Sequence, residues 1–526
     1  MRTPGEADAR VAGLAGRLAG MRVFVNGLGV TGPPVARLLA ARGALVTAAD
    51  GRDDEANRQA ARELAGLGIP VTFTEHPALP PDTDLVITAP GFRPGSPLVA
   101  AAAAAGIPVI GDVELAWQLR PELPGGGRQE WLGVTGTNGK TTTVLMLADM
   151  LGAAGHRSIA AGNVGLPVIE AVTAPEPYPV VAVELSSFQL YWSRSLRPLA
   201  AVVLNVAAHH LDWHGDIESY ARAKSRIYAP GTLAVCNADD ARSRDLAAAA
   251  PGTARVVAFR LGAPGPGELG AADGVLLDRA FGDPAGVVLA DVADVRPAGP
   301  HNVADALAAA ALARAYGAPA AAVAAGLAAF RPEPHRMSLV ARVGGVDYVD
   351  DSKASNPHAA AAALASYPSV VWVAGGLFRG AGADVDRLVA AVAPRLRGVV
   401  LLGADREVIR QSLARHAPDV PVVETARTDT GAMDLVVTSA ARLAAPGDTV
   451  LLSPAAQSFD MFRNYPARGD AFAAAVARLA ASPKGRGAAW TEERGSLRAS
   501  DEGRRRSVGG MGRRAGPRRR RGTESP

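Results

Sequence analysis

Lysine is rare in this chain, and three of the four that occur sit where an amine could do chemistry. Of 55 basic residues among 526, 51 are arginine and four are lysine: Lys140, Lys224, Lys353 and Lys484. Lys140 lies in Gly133-Val134-Thr135-Gly136-Thr137-Asn138-Gly139-Lys140-Thr141-Thr142. A strand entering a glycine-rich loop that opens a helix with Lys-Thr-Thr can cradle a triphosphate. Backbone N–H groups of Gly136, Thr137, Asn138 and Gly139 would face the phosphates, Lys140 would neutralise β/γ oxygens, and Thr141 could hold Mg²⁺. The strict P-loop has glycine where Val134 stands. The plainer alternative is a glycine-rich turn with an exposed lysine.

Other residues offer complementary chemistry. Glu184, in Glu184-Leu185-Ser186-Ser187-Phe188-Gln189 after an apolar run, is a hard oxygen donor that could complete a Mg²⁺ shell. On its own it reads equally as a solvated surface acid. His209 and His210 follow Leu204-Asn205-Val206-Ala207-Ala208; alone they read as loop residues. Lys224, in Arg222-Ala223-Lys224-Ser225, draws attention through the scarcity of lysine. Gly27-x-Gly29-x-x-Gly32 precedes a helix, and Asp50 ends the next strand. That spacing suits a nucleotide diphosphate at a helix N-terminus with an acid near a ribose, either NAD or a UDP-sugar; a tight turn without ligand is the alternative. Near the C-terminal third, Pro334-His335-Arg336-Met337 and Asp350-Asp351-Ser352-Lys353-Ala354-Ser355-Asn356 look like an anion and ribose site. Ser453 to Asp460 puts small hydroxyls after a strand, suited to a carboxylate. Phe462 and Tyr465 behind it are more often core.

The elements that must position these groups alternate. Strands are expected at 22–25, 44–49, 85–88 and 109–110, with a helix from the first glycine motif through Ala41. A Pro/Gly-rich linker follows at 121–128. A second unit has strands at 131–134, 180–183, 201–204 and 232–235, a helix at 141–151, a surface loop at 262–270, and helices at 302–316 and 319–328. Pro319 suits a first helical position. A third unit has strands at 346–349, 370–374, 399–402 and 449–452. Strand–helix alternation of this kind indicates α/β domains with parallel sheets. At roughly 150 residues per domain, the length allows about three.

Composition narrows the classes. Hydrophobic residues are 48% and charged residues 20%, a globular balance that excludes a wholly disordered or fibrous chain. The formal charge of +4 and pI near 9.4 are uneven in origin. Residues 484–526 hold 13 basic and five acidic residues, so the preceding 483 carry a net charge of −4. No nucleic-acid partner is required, and the Arg-rich tail, lacking apolar periodicity, is expected to be disordered. The lone cysteine, Cys236, excludes an intrachain disulfide and a Cys-based metal site. Residues 1–20 show no secretory h-region, and Leu98–Ile110 is too short and broken to span a bilayer. A soluble, cytoplasmic protein is expected.

The order of these motifs resembles that of the Mur ligases, ATP-dependent amide-forming enzymes of bacterial peptidoglycan synthesis. The resemblance covers roughly 20–483. It rests on Gly136-Thr-Asn-Gly-Lys140-Thr, Glu184-Leu-Ser-Ser-Phe-Gln189, Gly299-Pro-His-Asn302, His335-Arg336 and Asp351-Ser-Lys-Ala-Ser355-Asn356. The last stretch resembles the members that add D-glutamate to UDP-N-acetylmuramoyl-L-alanine. The resemblance implies a Rossmann-like UDP-sugar domain (1–118), a central P-loop-type ATPase domain (119–331), a Rossmann-like amino-acid domain (332–483) and the tail (484–526). It implies that Gly29, Val30, Thr31, Asp50, Gly51, Arg52 and Asn163 bind the UDP-sugar. Gly136 to Thr142, Asn302, Arg336 and Asp351 would bind ATP. Lys353, Ser355, Arg379, Ser458 and Tyr465 would hold D-glutamate. Thr141, Glu184, His210 and a carbamylated Lys224 would bind two Mg²⁺. Lys140, Lys224 and His210 would be catalytic, and the enzyme a monomer. Three positions depart from the family pattern: Ala208-His209 stands where Glu-Asp is usual, and Arg379 replaces a lysine. An NAD-dependent oxidoreductase, resting on the first glycine motif alone, and a non-catalytic nucleotide-binding protein are the competing classes.

Overall fold

Short, almost wholly apolar runs become the interior strands of three sheets, as parallel strands covered on both faces require. The computed structural model describes residues 13–482 apart from 164, 379–381, 426, 428 and 430. Arg379 and the 484–526 tail lie outside the described residues. The first sheet contains β1 (Arg22–Asn26), β2 (Leu45–Asp50), β3 (Val71–Phe73), β4 (Leu85–Thr88) and β5 (Val109–Gly111) in the order β3-β2-β1-β4-β5. All its pairings are parallel. The chain winds outward from β1 to β3, then returns to β4 on the other side. That reversal opens a crevice at the C-terminal ends of β1 and β4.

The second sheet contains β6 (Glu130–Thr135), β7 (Ser158–Gly162), β8 (Val180–Glu184), β9 (Ala200–Val203), β10 (Leu233–Asn237), β11 (Arg255–Arg260), β12 (Glu268–Ala272), β13 (Val275–Asp278) and β14 (Val287–Asp291). Its order is β14-β13-β12-β11-β10-β9-β6-β8-β7. β6 is flanked by β8 and β9 in parallel register, so the loops after these three strands emerge side by side. The Ala-rich helix Pro300–Tyr316 is buried along most of its length, which its nearly uniform apolarity requires. It lies beneath the sheet with Lys140–Ala153 and Ala320–Ala329. Close helix packing is visible at Gly326, where a Cβ would fall 2.5 Å from the Met150 Cα.

The third sheet contains β15 (Ser338–Val343), β16 (Val346–Asp350), β17 (Val370–Gly375), β18 (Leu396–Leu402), β19 (Val422–Glu424) and β20 (Thr449–Leu452), ordered β15-β16-β20-β17-β18-β19. The chain divides into two compact units. One holds the described residues to Ser338 with 356–366 and 382–384; the other holds 339–355, 367–378 and the rest to 482. The first two sheets share the first unit. Trp117 meets Trp131 edge-on at 5.2 Å. Buried Glu114 accepts from the backbone N–H of Arg194 at 2.7 Å and of Ser195 at 2.9 Å.

Two local expectations need correction. Pro319 is the N-cap of its helix, with Ala320 the first helical residue, because its extended ψ of 156° suits a cap. The expected loop at 262–270 gives up its last three residues to β12, where Glu268, Leu269 and Gly270 pair with β11.

Candidate functional site

The crevice of the first sheet holds a cavity of about 250 Å³, lined among others by Gly27, Gly29, Asp50, Gly51, Arg52, Ala89 and Phe92. Gly32 is required for the turn: a Cβ there would fall 2.0 Å from the Gly27 carbonyl oxygen. Pro33 and Pro34 then start the helix, where a missing N–H is tolerated. Asp50 does something the spacing did not announce. Its carboxylate accepts from the Leu28 N–H at 2.6 Å and the Arg52 N–H at 2.8 Å. Oδ2 braces the glycine turn, while Oδ1 fixes the bend that follows β2 at Arg52. Val30 is exposed on the turn and does not line this cavity.

The densest chemistry lies where the loops after β6, β8 and β9 meet. Gly136 and Gly139 have φ of 158° and 84°, and Lys140 opens the following helix. The Lys140 Nζ donates to the carbonyls of Gly136 at 3.0 Å and Thr137 at 2.9 Å. Its ammonium is held over its own loop. Asn205, after β9, clamps the loop by accepting from the N–H groups of Thr137 and Asn138 at 3.1 and 2.9 Å. Thr141 Oγ1 donates to Glu184 Oε2 at 2.8 Å, and Asn163 Nδ2 donates to Glu184 Oε1 at 3.0 Å. Lys224 comes from helix Ile217–Ser225 and is 1% exposed. Its Nζ donates to the Gly136 carbonyl at 2.7 Å. Burial, then the Lys140 charge, push its pKa well below the ordinary lysine value, against the pull of Glu184. The amine is therefore held toward its neutral form.

His210 has φ of 55° and caps the single-turn helix Leu211–His214. Burial and Lys224 lower its pKa to about 4; burial and His210 lower that of His209 to about 3. Both rings are neutral near pH 7 and can offer a lone pair, but each is a weak proton acceptor. The two rings meet at 3.9 Å. Among the described residues no group of three His, Cys, Asp or Glu forms a metal cage. Two hard oxygens, Thr141 Oγ1 and Glu184 Oε2, are adjacent at the phosphate loop. That donor set fits Mg²⁺, which takes few protein ligands and completes its shell with phosphate and water.

Beneath the loop lies a residue that the motifs did not reveal. Asp305 is buried, and its Oδ1 would sit 2.2 Å from a Cβ on Gly139. Burial raises its pKa to about 7, against the charge of Arg336. Asn302, one turn earlier on the same helix, is buried with an unpartnered Nδ2 among the described residues. Such a donor is costly unless a ligand accepts from it. Arg336 contacts Glu333 at 3.4 Å.

In the second unit, parallel pairing of Asp350 with Leu452 sets the loops after β16 and β20 side by side. The Asp351 Oδ2 accepts from Ser453 Oγ at 2.9 Å. The Lys353 Nζ lies 5.4 Å from the Tyr465 ring centroid. Arg468, 1% exposed, ties the loops together by donating to Ser352 Oγ, the Ser352 carbonyl and the Ala456 carbonyl at 3.0, 2.7 and 3.1 Å. Ser458 is buried two residues after the stapled Ala456.

Three family models match the chain in sequence: the Mur ligase MurD-like N-terminal domain over 21–111, the Mur ligase middle domain over 134–313, and the Mur ligase glutamate ligase domain over 335–456. The UDP-N-acetylmuramoylalanine–D-glutamate ligase of Thermobifida fusca is 58% identical over 88% of this chain and 99% of that protein. The Streptomyces avermitilis enzyme of that name is 56% identical over the same shares. The chain belongs to the Mur ligase family. The fold is also that of the UDP-N-acetylmuramate–alanine ligase of Thermotoga maritima, with a TM-score of 0.52 at 20% identity, covering 88% of this chain and 99% of that one.

As a Mur ligase, the chain uses ATP and Mg²⁺. The first unit brings together Lys140, Thr141, Glu184, Asn163 and Lys224, with the two histidines close by. Gly29, Asp50, Gly51 and Arg52 gather at the separate first-sheet cavity. Lys353 and Tyr465 meet in the second unit, which also contains Asp351, Ser355 and Ser458. Arg379 lies outside the described residues. Asn205 lay within the Leu204–Ala208 stretch without a role, and Asp305 and Arg468 were missed; the only signal for Asp305 was its i+3 spacing from Asn302 on one helix.

Proposed function

We propose that this Mur ligase joins the amine of D-glutamate to the L-alanyl carboxylate of UDP-N-acetylmuramoyl-L-alanine, coupled to ATP cleavage. The observation that carries this is the convergence of Lys140, Thr141, Glu184 and Lys224 on one phosphate loop, in a chain 58% identical to a D-glutamate ligase. A carboxylate oxygen attacks the γ-phosphorus, the bond to the bridging β–γ oxygen breaks, and ADP leaves. The neutral amine of D-glutamate then attacks the acyl phosphate carbonyl, loses a proton, and phosphate departs.

The chain's residues mainly position and neutralise. Lys140 exchanges its two loop carbonyls for phosphate oxygens. Asn302 offers its orphan donor to the nucleotide, and Arg336 and Asp351 complete that set. Gly29, Val30, Thr31, Asp50, Gly51, Arg52 and Asn163 hold the UDP-sugar, with Asp50 acting through the turn it braces. Lys353, Ser355, Arg379, Ser458 and Tyr465 hold D-glutamate. Thr141, Glu184 and His210 would hold Mg²⁺, which supplies phosphate charge neutralisation when bound. Lys224, kept neutral by burial, is in the form that adds CO₂ with loss of a proton, and the resulting carbamate is an anion for a second Mg²⁺. Arginine cannot make it. Domain limits of 1–118, 119–331 and 332–483, a monomer and a cytoplasmic location complete the proposal. No described helix is long and apolar enough to cross a membrane.

Purified protein with ATP, Mg²⁺, UDP-N-acetylmuramoyl-L-alanine and D-glutamate should release phosphate, and omitting any one component should stop it. Replacing D-glutamate with L-lysine or L-alanine should do the same. Absence of phosphate release from the complete mixture would falsify the ligase assignment.

A further inference from the structure

The helix turn Leu211–His214 contains no buried residue, so no hydrophobic anchor of its own fixes it. It also begins at a non-glycine residue in the left-handed region, His210, a conformation that persists only where its surroundings enforce it. Its placement depends on contacts made to two sides.

On one side lies the first domain. Trp213 Nε1 donates to the Gly91 carbonyl at 3.1 Å, and Asp212 pairs with Arg93 at 3.4 Å. The ion pair is exposed on both partners and contributes little; the indole is the firmer tie. Trp213 also lines a cavity of about 680 Å³ with Asn26, Glu75 and Phe92. Those last three line the 250 Å³ cavity at the Gly27 turn too. A ligand that outgrows the smaller cavity therefore extends toward Trp213.

On the other side lies the phosphate loop's neighbourhood. Trp213 meets Phe188 edge-on at 5.0 Å, and Phe188 packs against His210 at 4.7 Å and parallel to His214 at 5.5 Å. His214 Nε2 lies 2.9 Å from Ser187 Oγ, three residues after Glu184. One turn of helix thus joins the first-domain loop 89–96 to the histidines beside the phosphate loop.

Building on the sugar-nucleotide assignment above, we propose that Trp213 is a positioning residue that couples occupancy of the first-domain cavity to the metal end of the phosphate loop. A filled cavity holds the Gly91 loop, the loop holds Trp213, and Trp213 through Phe188 holds His210.

The test is calorimetric titration of UDP-N-acetylmuramoyl-L-alanine into the full chain, with and without Mg-ADP. Wild type should bind about 5- to 150-fold more tightly with Mg-ADP, the usual range of coupling between sites. Trp213→Phe keeps the ring contacts and removes the Nε1–H; it should lower that ratio at least about threefold. Phe188→Leu, at the other end of the relay, should do likewise, and the KM for D-glutamate should move in neither variant. A wild-type ratio of one, or an unchanged ratio in both variants, overturns the coupling. Failure of wild type to bind the sugar nucleotide at all defeats the sugar-nucleotide assignment itself, and is seen before any variant is made.

Discussion

Lys224 is the residue whose identity is most constrained by its surroundings. A buried amine with depressed basicity, donating to a loop carbonyl, cannot be replaced by a guanidinium that stays charged and is bulkier. Lys224→Arg should lower phosphate release more than about 100-fold, beyond the usual effect of losing a group that only orients a metal ligand. Full activity would eliminate the carbamate. Gly139 is similarly constrained by Asp305. Gly139→Ala combines a φ of 84° with a methyl group 2.2 Å from a buried carboxylate oxygen. It should destabilise by about 1–3 kcal/mol and abolish ADP binding, read by thermal unfolding and calorimetry. Lys224 was legible in the sequence because lysine is scarce. Asp305 was not, because its i+3 spacing from Asn302 in an Ala-rich stretch has no meaning until the helix packs under the loop. Asp50 was legible as a site residue, yet its hydrogen bonds to two backbone amides depend on a turn geometry that spacing alone does not contain.

At the scale of elements, strands with a continuous buried run were legible, the edge strand β5 among them, whereas strands of mixed burial, including the interior β11, β12 and β13, were not. β3, β7, β15 and β19 each lie at a sheet edge and show mixed burial along their length. With one neighbour and partial exposure, they lack the continuous apolar run that marks β8 or β17. The helix Asp112–Gln118 carries a testable electrostatic burden. Asp112 at its start is buried, and burial raises its pKa from 3.8 to about 6. Below about pH 4 the acid is protonated both folded and unfolded, and no burden exists. Between about pH 4 and 6 the unfolded chain ionises first, so stability falls as pH rises, by about 3 kcal/mol in full. Asp112→Asn should therefore stabilise the protein by about 1–3 kcal/mol at pH 7 and flatten this slope. Urea unfolding of both proteins at pH 4.5 and 7 measures it; equal slopes would refute the burden.

For the whole molecule, the charge is divided along the chain. The first 483 residues carry −4 and the last 43 carry +8. A chain ending at 483 should leave kcat/KM for all three substrates unchanged and should lose retention on a cation exchanger at pH 7. A drop in turnover on truncation would assign the tail a part in catalysis. The folded-back Lys140 ammonium has a consequence for reagents as well as for phosphates. With only four lysine side chains, amine-directed modification gives a fingerprint simple enough to assign by mass. Lys224 is inaccessible and Lys140 is half-covered by its own loop, so Lys224 should resist cyanate outright. Lys140 should react slowly, and ATP should slow it further while leaving Lys484 untouched. A protein with so few amines carries its own occupancy gauge, in which nucleotide binding is read as the protection of one peptide.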